Sequence, residues 1–224
     1  MKKETETGTT DSTAVAAPPR PRGRPLSFDR NAALEKAMHV FWERGYEAAS
    51  ISELTAAMGI TAPSLYTAFG DKEHLFFEAI ELYGNGPGGF GARALAEEPT
   101  ARGAIQRLLE EAADELTQEC HPLGCMMVCS VGAEHIQKAL VKRRAIGLES
   151  MQNRLQRGVD DGELPAGTDT VALANFYATI YQGMSMQAKD GATRASLLAS
   201  VEMAMRSWPA ATGAGRERPR KAVA

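Results

Sequence analysis

The densest group of reactive side chains in this chain is Cys120-His121 with Cys125 and Cys129. Three thiolates and an imidazole are a donor set that can hold zinc. The same thiols can sense oxidants or electrophiles where a nearby positive group lowers a thiol pKa. Cysteine is also among the most often buried residues and packs as a small hydrophobe. Cys125 and Cys129 are four apart, so on a helix their sulfurs share a face. Core packing, thiol sensing and metal binding all fit that spacing. A cysteine with His121 as its base would make a covalent enzyme, yet no matching acid, oxyanion motif, nucleotide loop or HExxH accompanies them. The expectation is a non-enzyme with no resident metal or cofactor.

A second group has different chemistry. Ser50, Thr61, Ser64, Tyr66, Thr67 and Lys72 stand within Ser50–Lys72, SISELTAAMGITAPSLYTAFGDK. The elements that must position them are two short helices and a tight turn. Ser50 with Glu53 fits a capping box. Leu54 and Ala57 fall on one face of the helix that follows. Gly59 stands where a left-handed helix end is wanted, and Ile60 fills the corner. Thr61 caps the next helix, and Pro63 is tolerated in its first turn. Leu65 and Phe69 face inward, leaving Ala62, Ser64, Tyr66 and Thr67 outward. Gly70–Asp71 ends this helix and starts another. Such a pair has the geometry of a helix-turn-helix, whose second member fits the ~12 Å major groove of B-DNA; a hairpin that merely packs has the same spacing.

The rest of the chain reads as helix throughout. It has 224 residues, 44% hydrophobic, with few aromatics and abundant alanine, leucine and methionine. Alanine and leucine are strong helix formers, and no alternating β-branched pattern calls for strands. There is no apolar run of ~18 residues to span a membrane. The N-terminus lacks a secretory h-region, and three cysteines give no even disulfide framework; a reducing cytoplasm is expected. Net charge is −3. Residues 28–83 hold Arg30, Lys36, Arg44 and Lys72 against nine acids, an objection to nucleic-acid binding. The compensating charge lies upstream in PRPRGRP, residues 19–25, which resembles an AT-hook core. Arginines on a proline-stiffened backbone can enter a narrow A·T minor groove, and Arg22 and Arg24 are the candidates; a solubilising tail is the alternative.

The stretch SISELTAAMGITAPSLYTAFGDKEHLF resembles the DNA-binding segment of TetR-type transcriptional repressors. The resemblance is carried by the small residues before Gly59, Ser64-Leu65-Tyr66, Phe69 and Asp71-Lys72-Glu73 before Leu75. It is strong from about Arg24 to Tyr83 and weak beyond. It implies phosphate contacts at Ser50, Thr61, Tyr66 and Lys72. Base-edge contacts would fall to Ala62, Pro63, Ser64 and Thr67, by thymine-methyl packing plus a hydroxyl bond. It also implies a homodimer through about residues 169–208, an operator-DNA partner and a small-molecule effector.

The expected architecture is all-α: an N-terminal three-helix helix-turn-helix domain and a C-terminal helical ligand-binding and dimerisation domain. The expected divisions are a disordered basic arm (1–25), a DNA-binding domain (26–83), a glycine-rich linker (84–98), an effector-binding and dimerisation domain (99–208) and a disordered tail (209–224). In the DNA-binding part, one helix from about Asp29 to Arg44 buries Leu34, Ala37, Met38 and Phe41, and another runs from Lys72 to Tyr83. GNGPGGFG at 84–91 should admit no helix. Beyond it, helices are expected at 100–119, 123–131, up to 162, 169–189 and 193–208. The 169–189 helix is apolar nearly all round and must be covered on all sides. Lys138, Lys142, Arg143 and Arg144 read as a solvated face. Met126, Phe176 and Tyr177, with Cys125 and Cys129, are effector or redox candidates; ordinary core suits them equally.

Overall fold

The computed structural model describes residues 28–209; the proposed arm, including Arg22 and Arg24, and all but the first residue of the proposed tail lie outside the described residues. The described residues form helices without strands. They are α1 (Arg30–Ala48), α2 (Ile51–Met58), α3 (Ala62–Phe69), α4 (Lys72–Asn85), α5 (Phe90–Glu97), α6 (Ala101–Glu115), α7 (Met126–Cys129), α8 (Glu134–Asp160), α9 (Thr170–Lys189) and α10 (Arg194–Arg206).

Asp29 starts α1 by accepting from the backbone N–H groups of Asn31 and Ala32. Ala33, Leu34, Ala37, Met38, Phe41 and Trp42 form its buried stripe. Gly45 breaks the helix at φ 74°, ψ 174°, and a short turn carries the chain to Ala48. A left-handed φ of this kind costs glycine nothing. Phe41, Tyr46 and Phe76 then cluster, with Phe76 edge-on to Phe41 at 5.1 Å and to Tyr46 at 5.2 Å. In α2 the buried pair is Leu54 and Met58. Ala57, expected to face inward, is exposed: the fourth residue after Leu54, not the third, returns to the core side.

Residues 84–98 are not the open linker that their glycines suggest. α4 continues to Asn85, a 3-10 turn occupies Pro87–Gly89, and α5 follows at once. The glycines permit a corner tighter than side chains allow. A Cβ on Gly88 would lie 2.3 Å from the Tyr83 ring, and one on Gly89 would lie 2.9 Å from the Gly84 carbonyl. Phe90, Ala94 and Leu95 then bury the inner face of α5 against the body.

The helix expected over 123–131 shrinks to the four residues of α7; Met126 is buried while Val131 is 71% exposed. The basic residues of α8 are not simply solvated. Arg143 pairs with Glu81 on α4, and Arg144 Nη1 donates to the Met127 carbonyl at 2.6 Å. On the outer side of α9 and α10, Val171, Phe176 and Met203 remain exposed although both helices bury an inner stripe.

The helical head and the body meet at Trp42. Its indole Nε1–H donates to the Gly124 carbonyl at 2.8 Å in a buried setting. One ring face stacks on His121 at 4.3 Å, and Tyr83 meets it edge-on at 4.7 Å. Trp42→Phe keeps an aromatic ring but strands a buried carbonyl, a loss of about 1–3 kcal/mol, and adds a cavity. Chemical denaturation should show the midpoint lowered with the slope little changed; an unaltered midpoint would mean that this bond is not needed.

Candidate nucleic-acid interface

The turn between α2 and α3 is built as the residue types require. Ser50 and Glu53 form the reciprocal capping box: Glu53 N–H donates to Ser50 Oγ at 3.1 Å, and Ser50 N–H donates to Glu53 Oε2 at 3.0 Å. The Ser50 hydroxyl also donates to that carboxylate at 2.9 Å. These bonds, first the one from the Ser50 backbone, hold the Glu53 carboxyl below its ordinary range. Gly59 takes φ 71°, ψ 31°, and its N–H closes on the Ala56 and Thr55 carbonyls. Thr61 caps α3 by accepting from Ser64 N–H, and Asp71 caps α4 by accepting from His74 N–H at 2.8 Å.

Leu65 and Phe69 are fully or nearly fully buried, so the opposite side of α3 is fixed outward. Thr61, Pro63, Tyr66 and Thr67 are exposed, with Tyr66 at 50%; Ala62 and Ser64 are half-buried. Six of the residues singled out from sequence therefore lie on or beside one face of one helix. Lys72 flanks them at the start of α4, half-buried, with Nζ 4.5 Å from the Tyr46 ring centre and 3.4 Å from the Glu47 carbonyl. Its amine keeps further N–H groups for an anion. Ser50 stands apart from this pattern because its proton already points to Glu53.

Charge sorts the helix ends. α2 has Glu53 in its first turn and α4 has Glu73, whereas α3 has no acid there. The helix dipole favours anions at an N-terminus, and only that of α3 is free of a competing carboxylate in this three-helix set.

Arg30 was not distinguished by sequence. Its Nη2 donates to Glu78 Oε1 and Oε2 at 2.7 and 2.8 Å. Nε and Nη2 reach the Ala68 carbonyl at 3.3 and 3.2 Å, and the guanidinium carbon lies 4.3 Å from the Phe69 ring centre. One side chain of α1 thus ties the C-terminal end of α3 to α4. The available signal was its place: a cation in the first turn of a helix opposes the dipole, so a tertiary partner holds it.

The cysteine group does not converge. Cys120 is exposed, Cys125 buried and Cys129 half-buried. Cys125 N–H donates to Ser185 Oγ at 2.8 Å, and Cys129 Sγ lies 3.4 Å from that oxygen. Burial pushes the Cys129 thiol above its ordinary range, with the Ser185 bond opposing. His121 faces the Pro122 carbonyl at 3.0 Å and Glu115 Oε1 at 3.1 Å. Both ring nitrogens are engaged, so it serves no thiol as base. Among the described residues, no group of three or more His, Cys, Asp or Glu side chains is placed to hold a metal.

The remaining effector candidates also separate. Met126 is fully buried, and Tyr177 is buried with its hydroxyl 3.5 Å from the Ala204 carbonyl. Phe176 is 39% exposed and lines a shallow groove between α9 and α10 with Ile180, Ala199 and Met203. Timed thiol labelling of the folded protein should modify Cys120 first, Cys129 slowly and Cys125 only on unfolding. Rapid labelling of Cys125 would contradict the packing around Ser185.

Comparison with known proteins agrees with this geometry. The model of the family described as "Bacterial regulatory proteins, tetR family" matches residues 33–79. The HTH-type transcriptional repressor ComR of Escherichia coli (strain K12) is 35% identical over 206 residues, covering 89% of this chain and 97% of ComR. The HTH-type transcriptional repressor BdcR of the same organism is 28% identical, covering 81% of this chain and 90% of BdcR. Among solved structures, a cysteine mutant of the TetR family transcriptional regulator CifR, complexed with 26-bp double-strand operator DNA, superposes with TM-score 0.80. It is 44% identical and covers 84% of this chain and 100% of its own. Among the described residues no helix is long and apolar enough to cross a membrane. On sequence and fold together, this chain belongs to the TetR family of transcriptional regulators, and it is not an enzyme.

Proposed function

We propose that this chain is a homodimeric, ligand-responsive transcriptional repressor that binds a near-palindromic operator. The observation that carries the reading is the outward face of α3: Pro63, Tyr66 and Thr67 stand exposed while Leu65 and Phe69 anchor the helix from behind. Residues 26–83 are the DNA-binding head, and residues 99–208 bind effector and partner. Arg22 and Arg24 of the 1–25 arm supply minor-groove charge beside it. Thr61, Tyr66 and Lys72 contact phosphate; Ser50 joins them if its bond to Glu53 opens. Operator binding by the CifR mutant supports the DNA partner.

The dimer forms through about residues 169–208. Support comes from the exposed Val171, Phe176 and Met203 on two helices that otherwise pack inward. Two copies of α3 would enter successive major grooves about 34–36 Å apart. Release follows from a population shift when an effector, or modification of a thiol, favours another spacing. The route into the head is short, because Gly124, which binds Trp42, lies within the cysteine segment and directly precedes Cys125.

Binding should be measured against fragments upstream of the chain's own gene and its neighbours, over a range of salt. Tyr66→Ala and Lys72→Ala should each weaken binding to all sequences, and Lys72→Ala should flatten the dimer's salt dependence by about two phosphate charges. An unchanged affinity and slope for Lys72→Ala would remove it from the phosphate contacts. Failure to bind any fragment would count against the whole reading.

A further inference from the structure

The proposed DNA face of α3 has an unusual chemical inventory. APSLYTAF contains no Arg, Lys, Asn, Gln, Asp, Glu or His. It therefore has no side chain able to make the bidentate bonds by which guanine and adenine are usually read. Arg30, the nearest arginine beneath the helix, is held by Glu78 and the Ala68 carbonyl. What remains are hydroxyls and apolar groups.

The hydroxyls of Thr67, Ser64 and Thr61 have partners within the helix and its cap, and the exposed Tyr66 phenol is placed above among the phosphate contacts. Thr67 Oγ1 donates to the Pro63 carbonyl at 2.8 Å. Its only proton is used inside the helix, so it can accept a bond but not give one. Guanine presents only acceptors on its major-groove edge, N7 and O6, and finds no donor at Thr67. The bond turns the hydroxyl toward the helix's own backbone, so the γ-methyl is the Cβ substituent left without a partner on an exposed residue. Ser64 Oγ and Thr61 Oγ1 face each other at 2.9 Å, so one of these two protons is used between them. Pro63, exposed, lies one turn back from Thr67, and Ala62 precedes it as the first residue of α3.

Resting on the DNA-binding reading above, we infer that Thr67 is a specificity-determining residue that selects thymine through its γ-methyl. Pro63 and Ala62 complete an apolar surface for thymine C5-methyl groups, and the Thr67 hydroxyl contributes no bond to an acceptor on the bases. The hydroxyl bond expected from sequence is replaced, at this position, by methyl packing.

The test uses the full chain and a duplex selected from a random pool. Thymines of the half-sites are then replaced by deoxyuridine, which removes the C5-methyl and nothing else. Loss of one buried methyl corresponds to about fourfold in affinity, or about fifteenfold when both half-sites of the dimer are changed. Thr67→Val keeps the methyl and lacks the hydroxyl, so it should retain both affinity and thymine preference. Thr67→Ser keeps the hydroxyl and lacks the methyl, and should lose affinity on the thymine duplex with no further loss on the deoxyuridine duplex. Enrichment of a site that tolerates deoxyuridine throughout, or a Thr67→Val protein that loses its preference, would overturn this assignment and leave DNA binding intact. Enrichment of no sequence at all would overturn DNA binding and this assignment with it.

Discussion

The rigid seating of α3 is the constraint on which the rest depends. Eight residues make little more than two turns, and an isolated helix of that length is unstable in water. It persists because Leu65 and Phe69 are buried and both of its ends are fixed. Thr61 caps the first turn, while Arg30 binds the Ala68 carbonyl and Glu78 together at the last. Arg30 and Glu78 are both about one-third exposed, so their attraction is screened and contributes little to global stability. Their value is positional: they set the angle at which the outer face of α3 is presented.

A negatively charged protein that binds DNA must keep its acids away from phosphate. Seven of the nine acids of this head are used as caps or internal partners, Glu35 and Glu43 on α1 being the exceptions. Glu53 closes the box on Ser50, Asp71 caps α4, Glu78 holds Arg30, and Glu81 pairs with Arg143. The N-terminus of α3 carries no acid. Net charge counted along the sequence therefore misjudges the field at the face that matters, because charge placement rather than charge total steers an anion.

Much of the head was legible because its cues are local. Ser50 with Glu53, glycine at 59, threonine at 61 and the Leu65/Phe69 pair each act within one turn of helix, and each structural counterpart lies where those residues are. The misreadings share a different cause. Ala57 was exchanged with Met58 because three-residue and four-residue spacing both return to roughly the same side. The glycines of 84–91 were read as a helix-free linker, whereas Gly88 lies against Tyr83 and Gly89 against the Gly84 carbonyl. A close approach to a distant or folded-back partner has no local mark. Arg30, Arg144 and the bond from Trp42 to Gly124 were opaque for the same reason: the partners are 17 to 82 residues away. The cysteines shared a spacing on paper, but Cys125 precedes α7 as its cap residue and Cys120 sits in the preceding loop, so the three do not meet.

Hydroxyl-radical footprinting of the complete protein on its selected duplex tests the central claim most directly. The account predicts two protected patches on one face of the DNA, about 10 base pairs between centres, lost together when α3 is disabled. A single patch, or protection with no helical repeat, would contradict a pair of α3 helices seated in successive grooves.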